Sequence, residues 1–102
     1  MIIIENSEQF AKEIKEGLVI VDFYANWCSP CRMLLPVLEE IQEERDVKIL
    51  KVNVDDQTEL ASMFFVSSIP YLVFFKDGKR VGEHLGYMPK SNLLKVIDKL
   101  AE

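Results

Sequence analysis

Residues 18–25 read LVIVDFYA, apolar at every position except Asp22 and rich in β-branched side chains. Such a run suits a central strand buried on both faces, because a strand with one wet face would alternate apolar and polar residues. It therefore needs cover on either side, and the neighbouring segments offer it. NSEQFAKEIKEG reads as a helix capped by Asn6 or Ser7, with Phe10 and Ile14 on one face and Gly17 as its stop. A second helix is expected from Ser29 or Pro30 to about Arg45, where Leu34, Val37, Leu38 and Ile41 recur at helical spacing.

The remaining chain continues the alternation. MIII reads as a short opening strand, VKILKVNVD as another strand and QTELASMFFV as a shorter helix. YLVFF turns at Asp77-Gly78 into KRVGEHLG, a β-hairpin signal. PKSNLLKVIDKLAE closes with Leu93, Ile97 and Leu100 on one face. The order is β-α-β-α-β-α-β-β-α. It predicts an α/β fold with a mixed central sheet of about five strands and about four helices on its two faces.

One domain over residues 1–102 is expected from a chain of 102 residues that is 49% hydrophobic. A chain of this size buries roughly 60–65% of its unfolded surface and needs no crosslink to build a core. With 12 basic and 17 acidic residues the net charge is -5, which argues against nucleic-acid and anionic-membrane partners. No apolar run approaches the ~20 residues of a membrane span. MIIIENSEQF lacks the basic start of a secretory signal, so a cytoplasmic location is expected.

The only two cysteines, Cys28 and Cys31, lie within NWCSPC. They could bind metal, crosslink the fold or exchange electrons. Tetrahedral zinc needs four ligands, and the only histidine, His84, has no partner pattern around it. An iron–sulfur cluster would have to be shared between two chains. A structural disulfide across so short a loop would contribute little.

Redox exchange uses the spacing directly, since one thiolate attacks a disulfide and the second must resolve the mixed disulfide quickly. A strand-to-helix junction places Cys28 at the positive end of a helix, which lowers a thiol below its free value of about 8.5. Pro30 suits the first helical turn.

VDFYANWCSPCRMLLP closely resembles the active-site segment of the thioredoxin family. KVNVD, SSIPYLVFF, FKDGK and LGY follow in the family's order and spacing, so the resemblance covers essentially the whole chain. It implies the thioredoxin fold and a dithiol–disulfide oxidoreductase, a thioredoxin-type carrier of electrons that reduces protein disulfides. Cys28 would be the nucleophile and Cys31 the resolving thiol. A reductase, commonly an NADPH-dependent flavoprotein, would recharge the Cys28–Cys31 disulfide. No cofactor or metal is expected on this monomeric chain itself. A thioredoxin-like binding module, a disulfide isomerase and a specialised oxidant are the alternatives.

Other residues divide between local and family readings. Asp22, the lone charge in its strand, is by spacing either a proton-transfer carboxylate or one that is structurally paired or faces solvent at the strand end. The resemblance implies that it assists Cys31. Lys51 by itself could snorkel to the surface; the resemblance implies that it tunes Asp22. Proline at a strand entrance is by base rate trans, as all but about 5–6% of X-Pro bonds are. The family has a cis proline at Pro70, with Ile69 pairing a substrate's extended chain.

Trp27 is expected to shield the disulfide and offer a flat apolar contact. Gly86 either ends a strand or, by resemblance, lets a substrate backbone approach. Tyr71, Tyr87 and Met88 would enlarge that patch, and His84 is expected to face solvent.

The sequence departs from the family pattern at several places. Ser29 stands where the family centre has glycine, Tyr24 where tryptophan is frequent and Arg32 where lysine is common. Ser68 and Tyr71 replace the usual glycine and threonine. Ser29 and Pro30 are the expected tuners of the redox centre, Ser29 by bonding the thiolate or restricting the turn.

Overall fold

A computed structural model describes residues 1–102, and its core is organised around the 18–25 run. β2 (Leu18–Tyr24) is the central strand of a five-stranded sheet. β3 (Lys48–Asn53) lies beside it in parallel, and β1 (Ile2–Ile3) is the edge beyond β3, also parallel. On the other side lie β4 (Tyr71–Lys76) and then β5 (Lys79–Leu85), each antiparallel to its inner neighbour. The order β1-β3-β2-β4-β5 is the mixed sheet expected.

Alternation along the strands sends side chains to two cores. Val19, Val21 and Phe23 join Leu50, Val52, Val73 and Phe75 on one face, covered by Phe10 of α1 (Ser7–Glu13) and Leu60 of α3 (Thr58–Met63). Ile20, Ile49, Leu72 and Phe74 occupy the other. There they meet Leu34, Leu38 and Ile41 of α2 (Ser29–Glu44) and Leu93 and Ile97 of α4 (Lys90–Leu100). Every residue from Val19 to Phe23 is buried, as a two-faced strand requires. Asp22 shares this second face, in register with Lys51 on β3 and Leu72 on β4.

Local signals are mostly realised. Asn6 is the cap of α1, its side chain accepting from the Gln9 N–H at 2.8 Å. That helix stops at Glu13, four residues short of the expected Gly17, and Gly17 (φ +72°) instead turns the chain into β2. Asp77 and Gly78 both have positive φ, the two-residue turn that matches the twist of a hairpin. The Gly17 N–H donates to Asp77 Oδ1 at 2.8 Å, which ties this turn to the start of β2.

Candidate active site

The C-terminal end of β2 delivers the cysteines. Cys28 is the N-cap of α2, with extended backbone, Ser29 and Pro30 form the first turn, and Cys31 follows within it. The Cys31 N–H points at Cys28 Sγ, 3.3 Å away, so a helix-terminal donor that has no partner inside the helix faces the sulfur. The two sulfurs are joined as a disulfide. Ala25, Tyr24, Val54 and Ile69 pack around the pair, leaving Cys28 5% and Cys31 3% exposed. Neighbouring apolar groups thus cover most of the Cys28 sulfur.

Ile69 reaches the same place from the β4 entrance. Its carbonyl oxygen lies 3.7 Å from Cys28 Sγ. The Ile69–Pro70 bond is cis, which corrects the trans reading from base rates and agrees with the family pattern. The local preference is only about 0.5–1 kcal/mol, small enough for tertiary packing to decide. The Pro70 carbonyl accepts from the Gly86 N–H at 2.7 Å, and Gly86 has φ +93°. The Ile69–Pro70 pair therefore links Cys28 on one side to Gly86 on the other, three places far apart in sequence.

Trp27 is 69% exposed, and its indole N–H donates to Asp55 Oδ2 at 2.9 Å. The Asp55 N–H in turn donates to Asn53 Oδ1 at 2.9 Å. Asp55 and Asn53 were not among the candidates. Their only sequence signal was two polar residues at the end of the VKILKVNVD strand, and nothing local pairs Asp55 with an indole 28 positions earlier.

On the adjacent strands β2 and β3, Lys51 Nζ donates to Asp22 Oδ2 at 2.8 Å, with both side chains buried. The ammonium also lies 4.0 Å from the Tyr24 ring centroid. Lys51 is therefore turned inward, not snorkelling. Burial pushes the Asp22 carboxyl above its usual 3.8, and Lys51 opposes that shift by charge and hydrogen bond. The second oxygen, Oδ1, has no hydrogen-bond partner. Cys31 and Lys51 both line a groove of about 590 Å³ whose other walls include Tyr24, Arg32 and Leu35.

Ser29 does not engage sulfur. Its Oγ accepts from Arg32 at 3.2 Å, while the other arm of the guanidinium donates to the Asn26 carbonyl at 2.8 Å. Two of the positions that depart from the family pattern thus form one strap around the Asn26–Ser29 turn.

Three minor expectations are corrected. Tyr71 is buried against Phe23, its hydroxyl donating to Glu83 and accepting from Arg80, and burial followed by the Glu83 bond raises its phenol above 10.0. Met88 is buried in the α2–α4 core, so only Tyr87 of the three expected patch residues is exposed. His84 is half-buried, with Nε2 3.4 Å from the Tyr87 carbonyl. No group of three His, Cys, Asp or Glu side chains comes together as a metal site, and no helix is long and apolar enough to cross a membrane.

Comparison with known proteins bears on this arrangement. The family model for thioredoxin matches residues 1–99. The thioredoxin of Listeria monocytogenes is 53% identical over 92 residues, covering 88% of this chain and 89% of that protein. The thioredoxin of Chlamydia trachomatis is 47% identical over 100 residues, covering 97% and 98%. Among solved structures, a mutant thioredoxin from Halobacterium salinarum superposes with a TM-score of 0.93 at 34% identity, covering 99% of this chain and 90% of that one. Thioredoxin from Trypanosoma brucei brucei gives 0.90 at 29% identity, covering 100% and 92%. With sequence and fold agreeing from end to end around a joined cysteine pair, the chain belongs to the thioredoxin family of protein dithiol–disulfide oxidoreductases.

Proposed function

We propose that this chain, acting as one domain over residues 1–102 and as a monomer, is a general reductant of protein disulfides in the cytoplasm. It would serve there in electron transport and cell redox homeostasis. The observation that carries the reading is the Cys28–Cys31 disulfide at the start of α2, bordered by the Ile69 carbonyl.

In the reducing half-cycle the Cys28 thiolate attacks one sulfur of a substrate disulfide. A Cys28–substrate bond forms and the other substrate sulfur leaves as a thiolate that takes up a proton. Cys31 then loses its proton and attacks Cys28 Sγ, releasing the second substrate thiolate. Two electrons have passed from the dithiol to the substrate. A reductase returns them, and we propose an NADPH-dependent flavoprotein, with no cofactor on this chain.

Asp22 is the proposed acceptor for the Cys31 proton. Its burial and raised affinity for protons support that role, and the Lys51 contact supports Lys51 as the group that tunes it. Trp27, Ile69, Pro70 and Gly86 form the proposed substrate face, with the Ile69 backbone pairing an extended chain. Ser29 and Pro30 set the turn that holds the thiols, Ser29 through Arg32.

Insulin reduction with NADPH and a matched reductase tests the reading. Cys31→Ser is expected to trap mixed disulfides through Cys28. Binding of partners without turnover would instead make the chain a recruiting module. A Cys28–Cys31 potential near the about −270 mV typical of thioredoxins supports a reductant. One near the about −180 or −120 mV of isomerases or strong oxidants would reassign the direction of electron flow.

A further inference from the structure

Phe65 places at a helix stop a side chain that the stop does not require. Its backbone is left-handed (φ 53°) just after α3, and its side chain is 89% exposed, the most exposed large apolar side chain of the protein. The backbone is accounted for by the stop itself: the Phe65 N–H bonds Ser62 O and the Val66 N–H bonds Ala61 O, each at 3.0 Å. Glycine or asparagine takes that position with less strain, and a bulky aromatic ring there is a genuine outlier. Nothing in the fold is gained by a ring that solvent surrounds.

The ring borders a groove of about 400 Å³. Phe65, Ser67 and Ser68 form one wall and Leu85, itself 57% exposed, the other. The charged groups of the lining are already paired, since Arg80 contacts Glu83 at 3.3 Å and both bind the Tyr71 hydroxyl. With its one cation and one anion paired to each other, the lining does not ask for a charged ligand. Both walls run directly into the redox centre. Ser68 precedes Ile69, whose carbonyl is 3.7 Å from Cys28 Sγ, and Leu85 precedes Gly86, which bonds Pro70.

We infer that this groove, with Phe65 at its rim, is a specificity subsite for an apolar side chain of the protein substrate, on the segment bearing the attacked cysteine. The inference rests on the reading of Ile69, Pro70 and Gly86 as the substrate face. Phe65 lies four positions before Ile69, at most about 14 Å of chain. An extended substrate therefore places the captured residue within about four positions of its cysteine, three or four away.

The test uses two disulfide-bearing peptides, identical except for leucine or serine at those positions. The readout is the Leu:Ser ratio of kcat/KM for wild type, Phe65→Gly, Phe65→Asn and Met63→Ser, with a thermal melt of each. Wild type and Met63→Ser, which alters an exposed apolar residue outside the groove, are expected to favour leucine about five- to tenfold. Both Phe65 variants should bring the ratio close to one while melting at or above the wild-type temperature.

A preference that survives in Phe65→Gly and Phe65→Asn overturns the subsite and leaves the disulfide-reductase reading standing. Loss of the ratio in Met63→Ser as well, or a clear drop in melting temperature for both Phe65 variants, also overturns it. So does self-association through Phe65, which would give the groove to a second copy. Failure of the wild type to reduce insulin or either peptide removes the reductase reading, and the subsite with it.

Discussion

The Lys51 ammonium holds one oxygen of Asp22 at 2.8 Å, while the other oxygen, equally buried, has no partner. A half-satisfied buried carboxylate is an unfavourable arrangement for stability, and a favourable one for accepting a proton. Asp22 and Lys51 lie in register on adjacent parallel strands, so the contact is fixed by the sheet.

The pair makes stability depend on pH in a definite direction. Burial raises the folded pKa of Asp22 above the unfolded value of 3.8. The folded state therefore binds the proton more tightly than the unfolded one. Asp22 does not destabilise the fold below about pH 3.8, and its penalty grows as pH rises toward the folded pKa. Lys51→Met removes the opposing cation, so the Asp22 titration should move further up and widen that window. Each unit of movement corresponds to about 1.4 kcal/mol. Urea unfolding across pH should show Lys51→Met losing stability relative to wild type as pH increases; a difference independent of pH would break the coupling.

Asp22→Asn removes the proposed proton acceptor without changing shape. The resolving step should slow by about 100-fold or more, the range for a positioned general base. Stopped-flow decay of a Cys28 mixed disulfide measures this step alone. The initial attack by Cys28 should be affected far less. Equal slowing of both steps would assign Asp22 a structural role.

Arg32 and Ser29 should behave as one unit. Arg32→Ala takes a cation from the turn that carries the nucleophile, disfavouring the thiolate and hence the reduced form. The Cys28–Cys31 potential is expected to fall by about 10–30 mV, where 30 mV corresponds to about 1.4 kcal/mol. Ser29→Ala should move it in the same direction by less, and the double variant no further than Arg32→Ala. Arg32→Lys keeps the charge but not the two-armed grip, so it should show only part of the Arg32→Ala shift. Additive shifts in the double variant would show that the two side chains act separately.

Leu38 lies on the buried face of α2 and is fully enclosed against the sheet. Leu38→Ala should destabilise the protein by about 2–5 kcal/mol, through lost burial and the cavity left behind. Urea unfolding gives the value directly. A loss below about 1 kcal/mol would mean that α2 and α4 close over the gap.

Much of the architecture was legible from local pattern. The apolar run around Asp22, from Val19 to Phe23, implied cover on two faces, helical spacing picked out Leu34, Leu38 and Ile41, and Asp77-Gly78 marked the hairpin. These are properties of neighbouring residues, and periodicity and turn chemistry act at that range. The end of α1 was misplaced because the helix stopped before its glycine, at Glu13.

The cysteine pair was legible for the same reason, as two thiols and a proline within one turn. The sequence by itself thus determined the layered sheet, the strand-to-helix junction and the chemistry a Cys-x-x-Cys centre can perform. Only the tertiary structure decided that the Trp27 indole binds Asp55, that Lys51 turns inward to Asp22, that Ser29 answers to Arg32, that Ile69 closes on Cys28 and that Gly86 bonds Pro70. Those contacts join residues on different elements. Their energies depend on which strands become neighbours and which polar groups lose water together, and no local pattern encodes that.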